Sequence, residues 1–167
     1  MPRRLLQRCQ PDSIAEFRSA SHQRYNDGLS LAIQGRRTGA IYLWGYAIEM
    51  TLKAAYFSFI GKGVRDPITW SGDLLPAIRT ARQQGVLWSR QRAGHNLLAW
   101  SEWLIVTRIN YSMGYAADFQ SEVYYQAQQA YQLWNETLRY HKNIAYLFEV
   151  QRMQESTEWF LVNYNFL

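Results

Sequence analysis

Residues 39–61, GAIYLWGYAIEMTLKAAYFSFIG, decide the fold of this chain. Wound as an α-helix at 100° per residue, the stretch has an apolar stripe on one side and more apolar residues over most of the other. The stripe consists of Ile41, Trp44, Gly45, Ile48, Leu52, Ala55 and Phe59. A helix that is apolar nearly all round belongs at the centre of a bundle, so we expect residues 40–60 to form a buried central helix. Gly45 has no side chain, so we expect another helix to approach closely there.

One sector of this helix is polar, covering about a quarter of the circumference. It consists of Tyr42, Tyr46, Glu49, Lys53 and Tyr56. Glu49 precedes Lys53 by four residues, which is the favoured order for an intrahelical ion pair. In one interpretation the sector lines a groove where tyrosines stack on a base and Lys53 contacts phosphate. In another, the two charges neutralise each other and the tyrosine hydroxyls find partners at the edge of the core. A third use is a dimer interface.

The same stretch resembles the second helix of HEPN domains, small helical nucleotide-binding modules of prokaryotes and higher eukaryotes. The resemblance rests on Tyr42-Leu43-x-Gly45-Tyr46-Ala47-x-Glu49-x-x-Leu52-Lys53-Ala54 and extends to His95-Asn96-Leu97-Leu98 and to residues 108–115. It implies an all-α bundle that is usually dimeric. Members of the family include toxin ribonucleases and non-catalytic partners that bind RNA or nucleotides. The resemblance therefore implies a component of a toxin–antitoxin or defence system.

Length and composition favour a single domain with a proper core. The chain has 167 residues, of which 16% are aromatic. The longest apolar run stops at Glu49, well short of the ~20 residues of a membrane span. Cys9 is the only cysteine, and residues 1–12 lack the apolar segment of a secretory signal. We therefore expect a cytoplasmic protein.

Positive charge is concentrated in the first two thirds of the chain. Up to Arg108 there are fifteen Lys and Arg residues against seven Asp and Glu, whereas after it there are three against six. Arginine outnumbers lysine fifteen to three, which suits bidentate contacts to phosphate or carboxylate. The first part either binds an anionic partner such as RNA or is an ordinary solvated surface.

Helix signals predict an up-and-down bundle of about five helices. The predicted elements are a loose arm (residues 1–11), helices over 13–34 and 40–60, a third helix over 71–84 capped by Ser71 or Asp73, and a fourth from about His95 to Met113. Residues 35–39 form the turn between the first two helices, which we expect to be antiparallel. Beyond Gly114, one helical phase runs from Val123 to Phe148, which predicts either one long helix with a shorter tail helix or a break near residues 140–143. The apolar segment 159–167 should dock on the bundle or on a second subunit.

Two residues have the spacing of a metal-independent ribonuclease pair. In the ribonuclease members of the HEPN family, an Arg and a His lie four to six residues apart, and Arg90 and His95 match this spacing. The Arg would stabilise phosphate charge and the His would move the 2′-OH proton. However, the pair precedes the fourth helix and contains Gly94, which departs from the pattern. The other interpretation is that His95 opens this helix and bonds to backbone. We therefore expect a non-catalytic member.

We expect neither a metal nor an organic cofactor, because the sequence has no ligand-spaced His or Cys pair, no P-loop and no dinucleotide fingerprint. The candidate binding residues are Tyr42, Tyr46, Glu49, Lys53 and Arg108. The predicted function is binding of RNA or a nucleotide by a homodimer, with a cognate partner protein. The alternative is a protein-interaction bundle with no nucleic-acid role.

Overall fold

The computed structural model describes Cys9, residues 11–89 and residues 94–167. These residues form an all-α bundle with no strand, as predicted. Its six α-helices are α1 (Ile14–Ile33), α2 (Arg37–Phe59), α3 (Leu75–Gln83), α4 (Leu97–Asn110), α5 (Ala117–Leu133) and α6 (Leu147–Val162). A π-helical turn (Trp70–Leu74) leads into α3, and 3₁₀ turns cover Glu136–Tyr140 and Tyr164–Phe166. Most of the predicted N-terminal arm lies outside the described residues.

Side-chain caps fix the starts of the first and fourth helices where the sequence predicts them. Ser13 caps α1 by accepting a hydrogen bond from the Glu16 N–H at 3.2 Å. Asn96 caps α4 by accepting from the Ala99 N–H at 3.0 Å. The third helical segment begins differently, because Thr69 caps its π-helical turn rather than Ser71 or Asp73.

The turn between α1 and α2 is shorter than predicted. Gly35 has a φ of +72° and allows the chain to reverse at once, so α2 begins at Arg37 rather than after Gly39. The short turn makes α1 and α2 antiparallel neighbours, as expected. Asn143, from the far end of the chain, stabilises the turn by donating to the Gly35 carbonyl at 2.8 Å.

Helix α2 is the centre of the bundle, as its sequence predicts. It contacts α1, α4, α5 and α6. Ile48 and Leu52, at the middle of its apolar stripe, have no exposed surface. The largest fully buried side chains around them include Trp100, Phe57, Leu104, Met153 and Phe160.

Two indole rings pack directly on glycines of the α1–α2 pair. A Cβ on Gly28 would lie 2.4 Å from the Trp44 ring, and a Cβ on Gly45 would lie 2.0 Å from the ring of Trp134. The Trp134 Nε1–H also donates to the Tyr42 carbonyl at 3.0 Å. The group that approaches Gly45 is thus a tryptophan side chain from the segment after α5, whereas we expected another helix.

The C-terminal region contains two helices with a long interruption. Helix α5 ends at Leu133, and Trp134 is extended, with φ −115° and ψ 138°. The interpretation of the helical phase from Val123 to Phe148 as one long helix was therefore wrong. The helix stops early because Trp134 turns inward to fill the space over Gly45. The alternative prediction, a break near residues 140–143, is closer to the structure, because the interruption between α5 and α6 covers residues 134–146.

The last segment docks on the bundle, as predicted. Phe160 has no exposed surface and Leu167 is 5% exposed. Tyr115 and Arg108 both donate hydrogen bonds to the Leu167 carbonyl oxygen, at 2.6 and 3.0 Å. Among the described helices, none is both long and apolar enough to cross a membrane.

Candidate functional site

A buried glutamate joins the polar sector of α2 to the segment that precedes α4. Glu49 is 3% exposed, and its Oε1 forms an ion pair with Lys53 one turn later. Its Oε2 lies 2.9 Å from Nδ1 of His95, which stands two residues before α4. Because both carboxylate oxygens are bonded, Glu49 fixes the imidazole of His95 relative to α2. The burial of Glu49 and Lys53 puts both charges out of reach of a ligand, since Lys53 is only 7% exposed.

The electrostatics of this cluster favour its charged forms. Burial acts to raise the pKa of Glu49, but the charge of Lys53 and the hydrogen bond from His95 outweigh it and lower the pKa. The hydrogen bond to Glu49 raises the pKa of His95, against the opposing effect of partial burial. The charge of Lys53 also opposes the increase, whereas the nearby Glu136 adds to it. His95 is therefore more cationic near neutral pH than an isolated histidine would be.

His95 is the part of the cluster that meets solvent. Its side chain is 41% exposed, whereas that of Glu49 is 4% exposed. With Nδ1 held by Glu49, Nε2 is the ring nitrogen without a partner in the described part of the chain. The expected bond from His95 to backbone is replaced by this bond to a carboxylate. A cationic donor at a fixed position suits recognition of a phosphate or a negatively charged oxygen.

Two tyrosines extend this surface along α2. The half-buried rings of Tyr42 and Tyr46 meet edge to face with centroids 5.1 Å apart. The Tyr46 ring meets that of His95 in the same way at 5.7 Å. We call the row formed by Tyr42, Tyr46 and His95 the aromatic ledge. Trp134 is 2% exposed and supports the row from within, with its ring 5.3 Å from that of Tyr46. Rings held in this way can stack on planar ligands without further ordering.

Burial also alters the ledge hydroxyl nearest to His95. Burial raises the pKa of Tyr46, and the neighbouring Tyr42 and the charge of Glu49 act in the same direction. A tyrosine is already protonated at physiological pH with its ordinary pKa of about 10, so the Tyr46 hydroxyl can donate a hydrogen bond with or without this shift. Tyr56, the last residue of the polar sector, is only 5% exposed and belongs to the core.

The structure does not bring Arg108 to the ledge. Its guanidinium lies 4.7 Å from the ring centroid of Phe59 and 4.3 Å from that of Tyr115. Phe59 is thirteen residues beyond Tyr46 on α2, a distance of ~20 Å along the axis. Arg108 therefore holds the opposite end of the bundle together. Arg90, the other half of the predicted ribonuclease pair, lies outside the described residues.

Sequence reasoning selected Glu49 and His95 but did not predict their contact. It also missed Trp134 and Glu136. The Oε2 of Glu136 is buried and has no hydrogen-bond partner among the described residues. No local pattern marks these two residues, because both lie where a helix was predicted to continue. Within the described residues, no three His, Cys, Asp or Glu side chains converge as metal ligands would.

The comparisons with known proteins add no family to this description. No family model, curated protein or solved structure matches the chain.

Proposed function

We propose that this protein binds RNA or a nucleotide at the aromatic ledge. The observation that carries the proposal is His95: a half-exposed imidazole, fixed by a buried carboxylate, whose pKa that carboxylate raises. Such a group supplies a positive charge at a set position. Beside it lie the half-buried rings of Tyr42 and Tyr46, which are nearly perpendicular to each other, and an aromatic side chain of this kind is a group on which a base can stack.

The chemistry of this row is that of a single-strand binding surface. Stacking of a base on an aromatic side chain contributes about 1–3 kcal/mol and tolerates any base. A cation next to the rings contacts phosphate and makes binding depend on salt. The interior charges of Glu49 and Lys53 act indirectly, by holding His95 in place.

The test is fluorescence anisotropy with a short, labelled, single-stranded RNA of mixed sequence. Tyr46→Leu and His95→Asn should each weaken binding by about tenfold, which corresponds to one lost stacking or phosphate contact. Tyr124→Leu and His22→Asn are the matched controls, since both residues are exposed and lie on other helices. Wild-type affinity should fall steeply between about 50 and 200 mM salt.

Two results would count against the proposal. One is an absence of RNA and nucleotide binding by the wild type; the other is binding that the ledge variants do not weaken. Association with a protein partner that does not respond to salt would instead favour the alternative, a protein-interaction bundle.

A second candidate function is metal-independent cleavage of RNA. The observation that favours it is the Glu49–His95 pair, because a carboxylate that holds one imidazole nitrogen orients the other for proton transfer. The raised pKa of His95 suits a general acid better than a general base at neutral pH. Arg90 would then neutralise developing phosphate charge, as the family pattern implies. Incubation with structured and unstructured RNA in EDTA, beside His95→Ala, decides the matter. Equal cleavage by both proteins, or none by either, contradicts it.

The biological setting is proposed from the HEPN resemblance alone. We propose a homodimer that acts in the cytoplasm as part of a toxin–antitoxin or defence pair. Light scattering of the purified chain should give twice the monomer mass. Expression of the chain should slow growth, and co-expression of its neighbouring gene should relieve the effect; a monomer without any effect on growth would argue against this role.

A further inference from the structure

The aromatic ledge leads directly into a basic cavity at the start of α2. The cavity has a volume of about 320 Å³, and Tyr42 lies in its wall. Its lining contains the cations Arg36, Arg139 and Lys142 together with His141, and no Asp or Glu contributes to the wall. This volume falls at the lower end of the range for small-molecule sites, about 300–1,000 Å³.

The positive charge of this cavity is not neutralised by the protein. In the described part of the chain, none of Arg36, Arg139 and Lys142 forms an ion pair with a carboxylate. The Arg139 guanidinium lies over the ring of Tyr140, 4.7 Å from the ring centroid. After residue 108 the chain has only three Lys and Arg residues, and two of them line this cavity. Such a concentration of cations favours an anionic ligand.

The walls of the cavity are held in place by the protein itself. Asn143 accepts a hydrogen bond from the Thr38 N–H at 3.0 Å and donates to the Gly35 carbonyl at 2.8 Å. The Thr38 hydroxyl oxygen accepts from the backbone N–H groups of Ile144 and Ala145, at 2.8 and 3.0 Å. These four bonds fix the segment after α5 against the α1–α2 turn. Because the site is formed in advance, little free energy is lost in ordering it when a ligand binds.

From these observations we infer that the cavity binds a phosphate group of the nucleotide or RNA whose base stacks on the ledge. Arginine and lysine side chains are the usual partners of phosphate, and Arg36 and Arg139 can each make two parallel hydrogen bonds. Tyr42 belongs to both the cavity and the ledge, so phosphate and base subsites are adjacent. The inference rests on the proposed function and adds the position of the phosphate.

The phosphate can come from two sources, a free nucleotide or the backbone of an RNA strand. Calorimetry with AMP and with adenosine distinguishes the first source, since only AMP carries the group. Anisotropy with a short single-stranded RNA reports on the second. Competition between AMP and the RNA shows whether both occupy the same place.

The decisive variant is Arg139→Gln combined with Lys142→Gln. Both side chains are exposed, so the fold should survive, and far-UV circular dichroism checks this. The double variant should weaken binding of AMP or RNA at least tenfold. For RNA it should also reduce the slope of log affinity against log salt by about 1.4, since each phosphate contact on a single strand contributes ~0.7. Arg152→Gln is the matched control, because it removes the third Lys or Arg residue of this half, whose exposed side chain lies on α6 outside the cavity.

The outcomes separate this inference from the proposed function. If the wild type binds neither AMP nor RNA, the proposed function fails. If it binds and the double variant binds equally well with an unchanged salt slope, the cavity inference fails while the ledge proposal stands. Arg36→Gln, on the opposite wall, provides an independent test, and an unchanged affinity there also counts against the cavity. Weaker AMP binding in both cavity variants, with adenosine binding the same in the variants as in the wild type, supports it.

Discussion

Replacing Gly45 by alanine should force Trp134 out of its place beneath the aromatic ledge. The new Cβ would lie 2.0–2.1 Å from three atoms of the indole ring. Carbon atoms in contact are about 3.5–4.0 Å apart, so the ring must withdraw by ~1.5 Å. The hydrogen bond from Trp134 Nε1 to the Tyr42 carbonyl is 3.0 Å long and cannot survive such a shift.

The expected loss of stability combines two destabilising contributions with one stabilising contribution. Overpacking a well-packed core costs about 1–3 kcal/mol. The lost hydrogen bond costs ~1 kcal/mol. Replacing glycine by alanine inside a helix returns ~1 kcal/mol. We therefore expect Gly45→Ala to lower the free energy of unfolding by about 1–3 kcal/mol.

Urea unfolding followed by far-UV circular dichroism measures this change. Gly39→Ala is the control for helix propensity in the same helix. A Cβ at Gly39 would lie 3.1 Å from Leu31 Cδ1, which is the end of a flexible side chain and can move aside. That variant should be between unchanged and ~1 kcal/mol more stable. In a Trp134→Ala background the clash is absent, so Gly45→Ala should become neutral or stabilising. The same loss in both backgrounds would refute the packing argument.

Three further predictions concern the charged groups. Because its pKa is raised in the folded state, His95 stabilises the fold below about pH 6.5, and this contribution is lost as the pH rises through the raised pKa. Because the pKa of Glu49 is lowered, Glu49 contributes stability above about pH 4.5. The difference in thermal stability between wild type and His95→Gln should thus be larger at pH 5.5 than at pH 9, and equal differences would contradict the pairing. Glu49→Gln leaves Lys53 unpaired in the interior and should cost about 3–5 kcal/mol, whereas Asp27→Asn, at an exposed ion pair, should cost at most ~1 kcal/mol in the same urea experiment. Arg108→Ala removes two hydrogen bonds and two ring contacts and should cost about 1–3 kcal/mol. The Arg108→Ala variant should have unchanged affinity for RNA. A reduced affinity would place Arg108 at the binding surface.

Much of the fold could be predicted because the sequence of α2 indicates the surroundings of this helix. Apolar residues all round the helix require neighbours on every side, and the caps at Ser13 and Asn96 mark where two of those neighbours begin. The break after α5 could not be predicted in this way. Trp134 keeps the helical phase, and its extended backbone follows from the hole over Gly45, which only the assembled bundle reveals.

Some residues of the candidate site could be chosen from the sequence, but their contacts could not be predicted from it. Glu49 and His95 stand out in the sequence, but their contact depends on how α2 packs against α4. The ion pair between Glu49 and Lys53 was expected from their spacing, whereas its burial was not. A carboxylate with two oxygens can satisfy two cations, and this allows a lysine to be buried where periodicity suggests a polar surface.

The four hydrogen bonds at Thr38 and Asn143 have a consequence for the order of folding. They connect positions 105 to 108 residues apart in the chain. Contacts of such long range form after local helices, since closing a large loop costs entropy before the contact repays it. A nascent chain, or one cut short before residue 143, would lack the closed cavity. Affinity for an anion at that place would therefore mark molecules that have finished folding.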